Sequence, residues 1–107
     1  MIDWTRVSDL REEIGAEDFA EVVEIFLEEV EAAMESLGGD HASLEAQLHF
    51  LKGSALNLGF VDFSDLCGAG ESRAANGATD IDLAEIAQCY AASQDTFLEG
   101  LATRFAA

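Results

Sequence analysis

The sequence contains no proline, a single lysine and only five basic side chains against 22 acidic ones. Proline strips a backbone donor and blocks a helix interior, so its absence leaves long uninterrupted helices free to form. With so few cations and a formal charge of −17, a nucleic-acid partner is excluded, because neutralising phosphates requires clustered Lys and Arg. An anionic membrane surface would repel the chain as well. No segment approaches the ~20 apolar residues of a membrane span, and the acid-interrupted opening has no signal-peptide character, so a cytoplasmic setting is expected. The excess acid reads first as a solvated surface and second as a field that steers a basic partner.

Other absences narrow the chemistry. No Walker loop, GxGxxG or Ser/His/Asp set is present, which argues against independent nucleotide chemistry. Cys67 and Cys89 belong to no CxxC or Cys/His ligand set and read as reduced, buried small side chains. Alternating β-branched stretches are lacking too. Half of the 107 residues are apolar, enough for one core, and residues 1–107 are expected to form a single all-α domain.

Glycines divide the chain. Trp4, Val7, Leu10 and Ile14 recur at helical spacing and Gly15 follows them. A second helix is expected over 16–37, with Phe19, Val22, Val23, Phe26, Leu27, Val30 and Met34 inward and a row of glutamates outward, ended by Gly38-Gly39. Asp40 can N-cap a third, reaching Leu58 through Leu44, Leu48, Leu51 and Ala55, with His41 solvated in its first turn and Gly59 beyond its end. A fourth is expected over 63–76 after an Asp62 cap, with Phe63, Leu66, Cys67 and Ala74 as core candidates. Gly68 and Gly70 make it the weakest, at ~0.8 to 1.0 kcal/mol each relative to alanine. After Gly77 the last helix starts within 79–82, with Asp82 and Glu85 spaced as a capping box and a stripe of Leu83, Ile86, Tyr90, Phe97, Leu101 and Phe105. Short links between such helices favour an antiparallel up-down four-helix bundle with the short N-terminal helix as an addition across one end.

The lone lysine marks the chemistry. His49, Lys52, Gly53 and Leu56 stand three and four residues apart on one helical surface, rotated about one residue from the core stripe. A neutral imidazole is a nucleophile near neutral pH and attacks phosphorus to give a phosphohistidine. Lys52 can offset the charge of such a group, since two unit charges about 4 Å apart interact by roughly 1 to 4 kcal/mol between bulk water and a protein surface. Gly53 costs helix stability of about 1 kcal/mol, which implies a need for clearance beside the histidine.

The run His49-x-x-Lys52-Gly53-Ser54 followed by Leu58-Gly59 resembles the signature of histidine-containing phosphotransfer (HPt) domains, and the likeness extends over most of the chain. Asp3-Trp4, Phe26-Leu27, Leu66-Cys67 and Glu71 are similar to that family's pattern, while Gly70 departs from it, replacing a bulky apolar residue. The resemblance implies a phosphorelay carrier without kinase activity of its own. His49 would be the phosphoacceptor, Lys52 its charge partner and Gly53 its clearance, with Glu71 orienting the imidazole. It implies response-regulator receiver domains and a hybrid histidine kinase as partners, a monomeric state, no cofactor in this chain, and Mg²⁺ on the receiver. Phe50, Leu56 and Phe60 lie near the motif, read either as packing residues or as an apolar docking patch for the receiver. Glu45 and His49 at i and i+4 could suggest a metal pair, but the Glu-x-x-His repeats of di-metal bundles are missing. The alternative in a different class is a non-catalytic helical adaptor or inhibitor that binds a receiver or kinase.

Overall fold

The computed structural model describes residues 1–39 and 43–105. Five helices follow in order: α1 (Trp4–Ile14), α2 (Ala16–Glu35), α3 (Leu44–Leu58), α4 (Val61–Ala75) and α5 (Leu83–Arg104). The fold is the expected all-α one, a bundle of α2 to α5 with α1 as the short addition. Among the described residues there is no sheet, only an isolated antiparallel bridge between Ile2 and Phe60. Among the same residues no helix is long and apolar enough to cross a membrane.

Local chemistry sets the helix ends. Asp3 accepts from the backbone N–H groups of Thr5 and Arg6 and opens α1. Gly15, at φ +99, turns the chain into α2 through a left-handed backbone conformation that glycine, having no Cβ, adopts at little cost. Asp82 accepts from the N–H of Glu85 and opens α5 as expected.

Three ends differ from expectation. α2 stops at Glu35, two residues early, where Gln47 clamps the turn: its amide donates to the Ser36 carbonyl at 2.9 Å and accepts from the Gly38 N–H at 3.0 Å. α3 begins at Leu44 because the Ser43 hydroxyl accepts from the Ala46 N–H at 3.0 Å, so Ser43 is the cap. Asp40 and His41 lie outside the described residues. α4 begins at Val61 with Asp62 inside its first turn, not as its cap. The backbone gives the reason: the Ser64 N–H, which an Asp62 cap would serve, already donates to the Phe60 carbonyl at 2.9 Å, and the bridge holds the preceding turn through the Val61 N–H to the Met1 carbonyl at 3.2 Å and the Asp3 N–H to the Gly59 carbonyl at 2.7 Å.

That bridge also corrects the place of Phe60. It is 1% exposed, with its ring 5.1 Å edge-on from Phe97 and 6.2 Å from Tyr90, so it is a core residue and no part of a docking patch. Around it gather Leu48, Leu51, Ala55 and Leu58 from α3, Phe63 and Cys67 from α4, and Val23, Leu27 and Val30 from α2. Cys67 is buried and free, and burial pushes its thiol up to about 12, so it stays protonated at neutral pH; Cys89 is half-buried and free, its thiol raised by the same cause.

The two glycines of α4 have a packing reason. α3 and α4 make the most extensive helix contact of the bundle. A Cβ at Gly70 would stand 3.0 Å from Leu48 Cδ1, and one at Gly68 would stand 3.3 Å from Lys52 Cδ. Their propensity cost is therefore offset by the close approach that it permits.

The far end of the bundle is closed by Trp4. Its indole stacks on Phe97 with centroids 6.1 Å apart, the Arg104 guanidinium lies 4.4 Å over it, and a Cβ at Gly100 would fall 2.0 Å from its ring. A rigid ring cannot yield that much space. Gly100→Ala is expected to destabilise the protein by about 1 to 3 kcal/mol in chemical denaturation, and to shift the emission of the one tryptophan. A loss below about 0.5 kcal/mol with unchanged emission would contradict this docking.

Candidate functional site

α3 turns its buried stripe toward the core and so presents the adjacent row outward. The His49 side chain is 70% exposed on that row, Lys52 is half-buried one turn on, and Gly53 and Leu56 are exposed. The close approach of α4 brings a third side chain to the pair. Glu71 Oε2 lies 2.9 Å from His49 Nδ1, and Oε1 lies 2.8 Å from Lys52 Nζ. One carboxylate thus bridges the His49 and Lys52 side chains of α3.

The electrostatics follow from that bridge. The Lys52 ammonium is the main cause holding the Glu71 carboxyl below the usual carboxylate range, against partial burial that pushes it up, and the His49 contact adds to the lowering. Oε1 is shut off from solvent, and Lys52 supplies its compensating charge without an aligned hydrogen bond. An ionised carboxylate can only accept, so Nδ1 of His49 donates to Oε2. In the neutral imidazole the lone pair is then left on Nε2.

Gly53 stands beside this nitrogen's ring on the open face. A Cβ there would meet nothing within 4 Å, so no contact inside the protein calls for glycine. The clearance faces outward, toward whatever approaches His49.

The sequence-predicted residues are thus placed as follows. His49, Lys52, Gly53 and Glu71 converge, and Leu56 is 58% exposed on the same row. Phe50 is 48% exposed but on the α2 side of α3, in a shallow groove with Ala33 and Ala46. Phe60 is absent from the site, as its burial requires. Lys52, expected as a partner for an added phosphoryl group, is paired with Glu71. Gly68 went unread as a site residue; its missing side chain makes room for the lysine stem, and only the α3–α4 contact reveals it. Among the described residues no group of three or more His, Cys, Asp or Glu side chains is placed to hold a metal ion.

A family model described as the Hpt domain matches residues 21–96, more than half of the chain and inclusive of every residue of the bridge. No curated protein and no solved structure matches.

The bridge makes a titration testable. Followed by carboxyl ¹³C NMR, Glu71 should titrate below the ordinary 4.5, and Lys52→Ala should move its midpoint upward, because Lys52 is the main cause of the lowering. For a carboxyl lowered on folding, the associated stability is complete above the unfolded pKa and is lost as pH falls through the folded one. Glu71→Gln should therefore flatten the stability profile below about pH 4.5 and leave its slope above that unchanged. An unmoved Glu71 midpoint in Lys52→Ala would refute the bridge.

Proposed function

Because the chain belongs to the Hpt domain family, the histidine-phosphotransfer domains of phosphorelays, we propose that it carries a phosphoryl group on Nε2 of His49 between receiver domains. The observation that carries this reading is the division of labour on one imidazole: Nδ1 is engaged by Glu71, and Nε2 is free, exposed and next to the open space at Gly53.

In the forward step the Nε2 lone pair attacks the phosphorus of an aspartyl phosphate on a receiver. The N–P bond forms as the P–O bond to the aspartate breaks, and the aspartate leaves as carboxylate with the bonding pair. His49 keeps its Nδ1 proton, and the ring becomes cationic as it bonds to phosphorus. The Glu71 carboxylate, 2.9 Å away, stabilises that charge. The reverse sequence hands the group to the aspartate of a second receiver.

Lys52 has two uses in this reading. In the resting site it keeps Glu71 ionised, and once a phosphoryl group sits on Nε2 its ammonium is within one helical turn of the new negative charge. The Mg²⁺ that neutralises the transferring group belongs to the receiver, and the in-line geometry is assembled in the complex. Leu56, exposed on the row of His49, and Phe50, exposed on the α2 side of it, supply apolar contact for the receiver face. The partners in this account are response-regulator receivers and a hybrid histidine kinase, and the whole chain, 1–107, works as one monomeric unit in the cytoplasm.

Two variants test the reading. Incubated with a phosphorylated receiver, wild-type protein should take up acid-labile, base-stable label, while His49→Gln should take up none and keep its helical circular dichroism; a labelled His49→Gln would overturn the assignment. Gly53→Leu separates fold from function. It should raise helix stability by up to about 1 kcal/mol, since leucine is the better helix former and its Cβ meets nothing within 4 Å, yet slow transfer by about tenfold or more by filling the clearance. Unchanged transfer in Gly53→Leu would show that the open space is not used.

A further inference from the structure

The seam between α2 and α5 is the loosest of the four in the bundle. It is tied at its two ends. Near one, Phe19 meets Phe105 edge-on at 6.0 Å; near the other, Glu31 accepts from the Tyr90 hydroxyl and the Gln94 amide, each at 3.2 Å. Between the ties lies a groove of about 410 Å³, with Val23 and Leu27 at its base and Leu98 and Leu101 along its α5 wall. Leu98 is 45% exposed there, although an apolar side chain gains by leaving water.

The other edge of the groove is acidic. Glu24, Glu28 and Glu31 line it at i, i+4 and i+7, a rim of about 10 Å along the α2 axis. They belong to a helix with eight acidic and no basic side chains. Like charges at this spacing repel one another. Among the described residues no cation is placed to relieve them. Arg6 pairs with Glu13, Lys52 with Glu71 and Arg73 with Asp80, while Arg11 and Arg104 lie over the rings of Phe105 and Trp4. Every Lys and Arg of the sequence is thereby engaged away from the α2 rim.

An apolar floor with an uncompensated acidic rim selects its occupant by charge. A second copy would set −17 against −17, acid rim against acid rim, and an anionic membrane or nucleic acid would be repelled in the same way. We infer that the α2–α5 groove docks a cationic amphipathic helix of a partner protein, one with an apolar stripe flanked by Lys or Arg at three- and four-residue spacing. Its apolar stripe covers Leu98 and Leu101, and its cations meet Glu24 and Glu28. The span between the two ties, residues 20 to 31 of α2, matches about three turns of helix. In the bundle α3 and α4 carry the His49 bridge and α2 and α5 carry the groove, so a helix docked there leaves His49 accessible. The inference stands independently of whether His49 carries a phosphoryl group.

The test uses the full chain and a synthetic three-turn peptide with leucines on one face and lysines on both flanks, followed by fluorescence anisotropy and ¹H–¹⁵N shift mapping. Binding is expected, with shifts around Val23, Leu27, Leu98 and Leu101 and none at His49, and weakening as salt rises from about 50 to about 300 mM. Leu98→Asn and the double variant Glu24→Lys/Glu28→Lys should each weaken it by about tenfold or more, all three substituted positions being on the groove. Circular dichroism confirms that the variants fold, and either one suffices. No binding at about 1 mM peptide, equal binding of a peptide with glutamate in place of lysine, shifts centred elsewhere, or unaltered binding to both variants would overturn the proposal. Sedimentation showing a dimer that Leu98→Asn dissolves would assign the groove to a second copy and would overturn it as well.

Discussion

Everything at the site depends on how closely α4 approaches α3. Small residues set that distance: Gly70 admits Leu48, and Gly68 admits the aliphatic stem of Lys52. A side chain at Gly70 would require Leu48 to give way, and one at Gly68 would press on the lysine stem that reaches Glu71. The glycines that weaken α4 as an isolated helix are therefore what lets it contribute to the site. A local cost of about 1 kcal/mol per glycine is balanced by the tertiary contact, a case of packing overriding propensity.

Glu71 is the hub of the resulting cluster. With one oxygen on His49 Nδ1 and the other on Lys52 Nζ, it fixes the imidazole tautomer, holds the ring and anchors the lysine. The same contacts lower its own pKa, which keeps it an acceptor across the pH range in which a histidine works. Opposite this tight side the site is open, because Gly53 has no neighbour to meet. A histidine held from one side and bare on the other is suited to a group that arrives from, and departs to, a second protein.

Much of this was legible in the sequence, and what was not had a physical cause. The three- and four-residue spacing of His49, Lys52 and Gly53 needs only helical geometry, and Glu71 was reached through family resemblance. That Lys52 rests on Glu71 depends on the α3–α4 distance, which no periodicity encodes. Phe60 stands next to the motif in sequence and reads there either as a packing residue or as part of a docking patch; the Ile2 bridge places it in the core. Asp62 has a capping residue's chemistry, but the Phe60 carbonyl already takes the Ser64 N–H that it would cap. Gly100 has no mark in the periodicity of the last helix, and its purpose becomes visible only with Trp4 lying across it. In each case the missing term was a contact between residues distant in the chain.

The central claim is that Glu71 selects Nε2 of His49 as the phosphoryl-bearing nitrogen. Long-range ¹H–¹⁵N correlation of the His49 ring, recorded before and after phosphorylation by a receiver, tests it most directly. The account predicts a neutral ring protonated at Nδ1 and, after transfer, phosphorus coupled to Nε2. A resting ring protonated at Nε2, or a phosphoryl group on Nδ1, would contradict it.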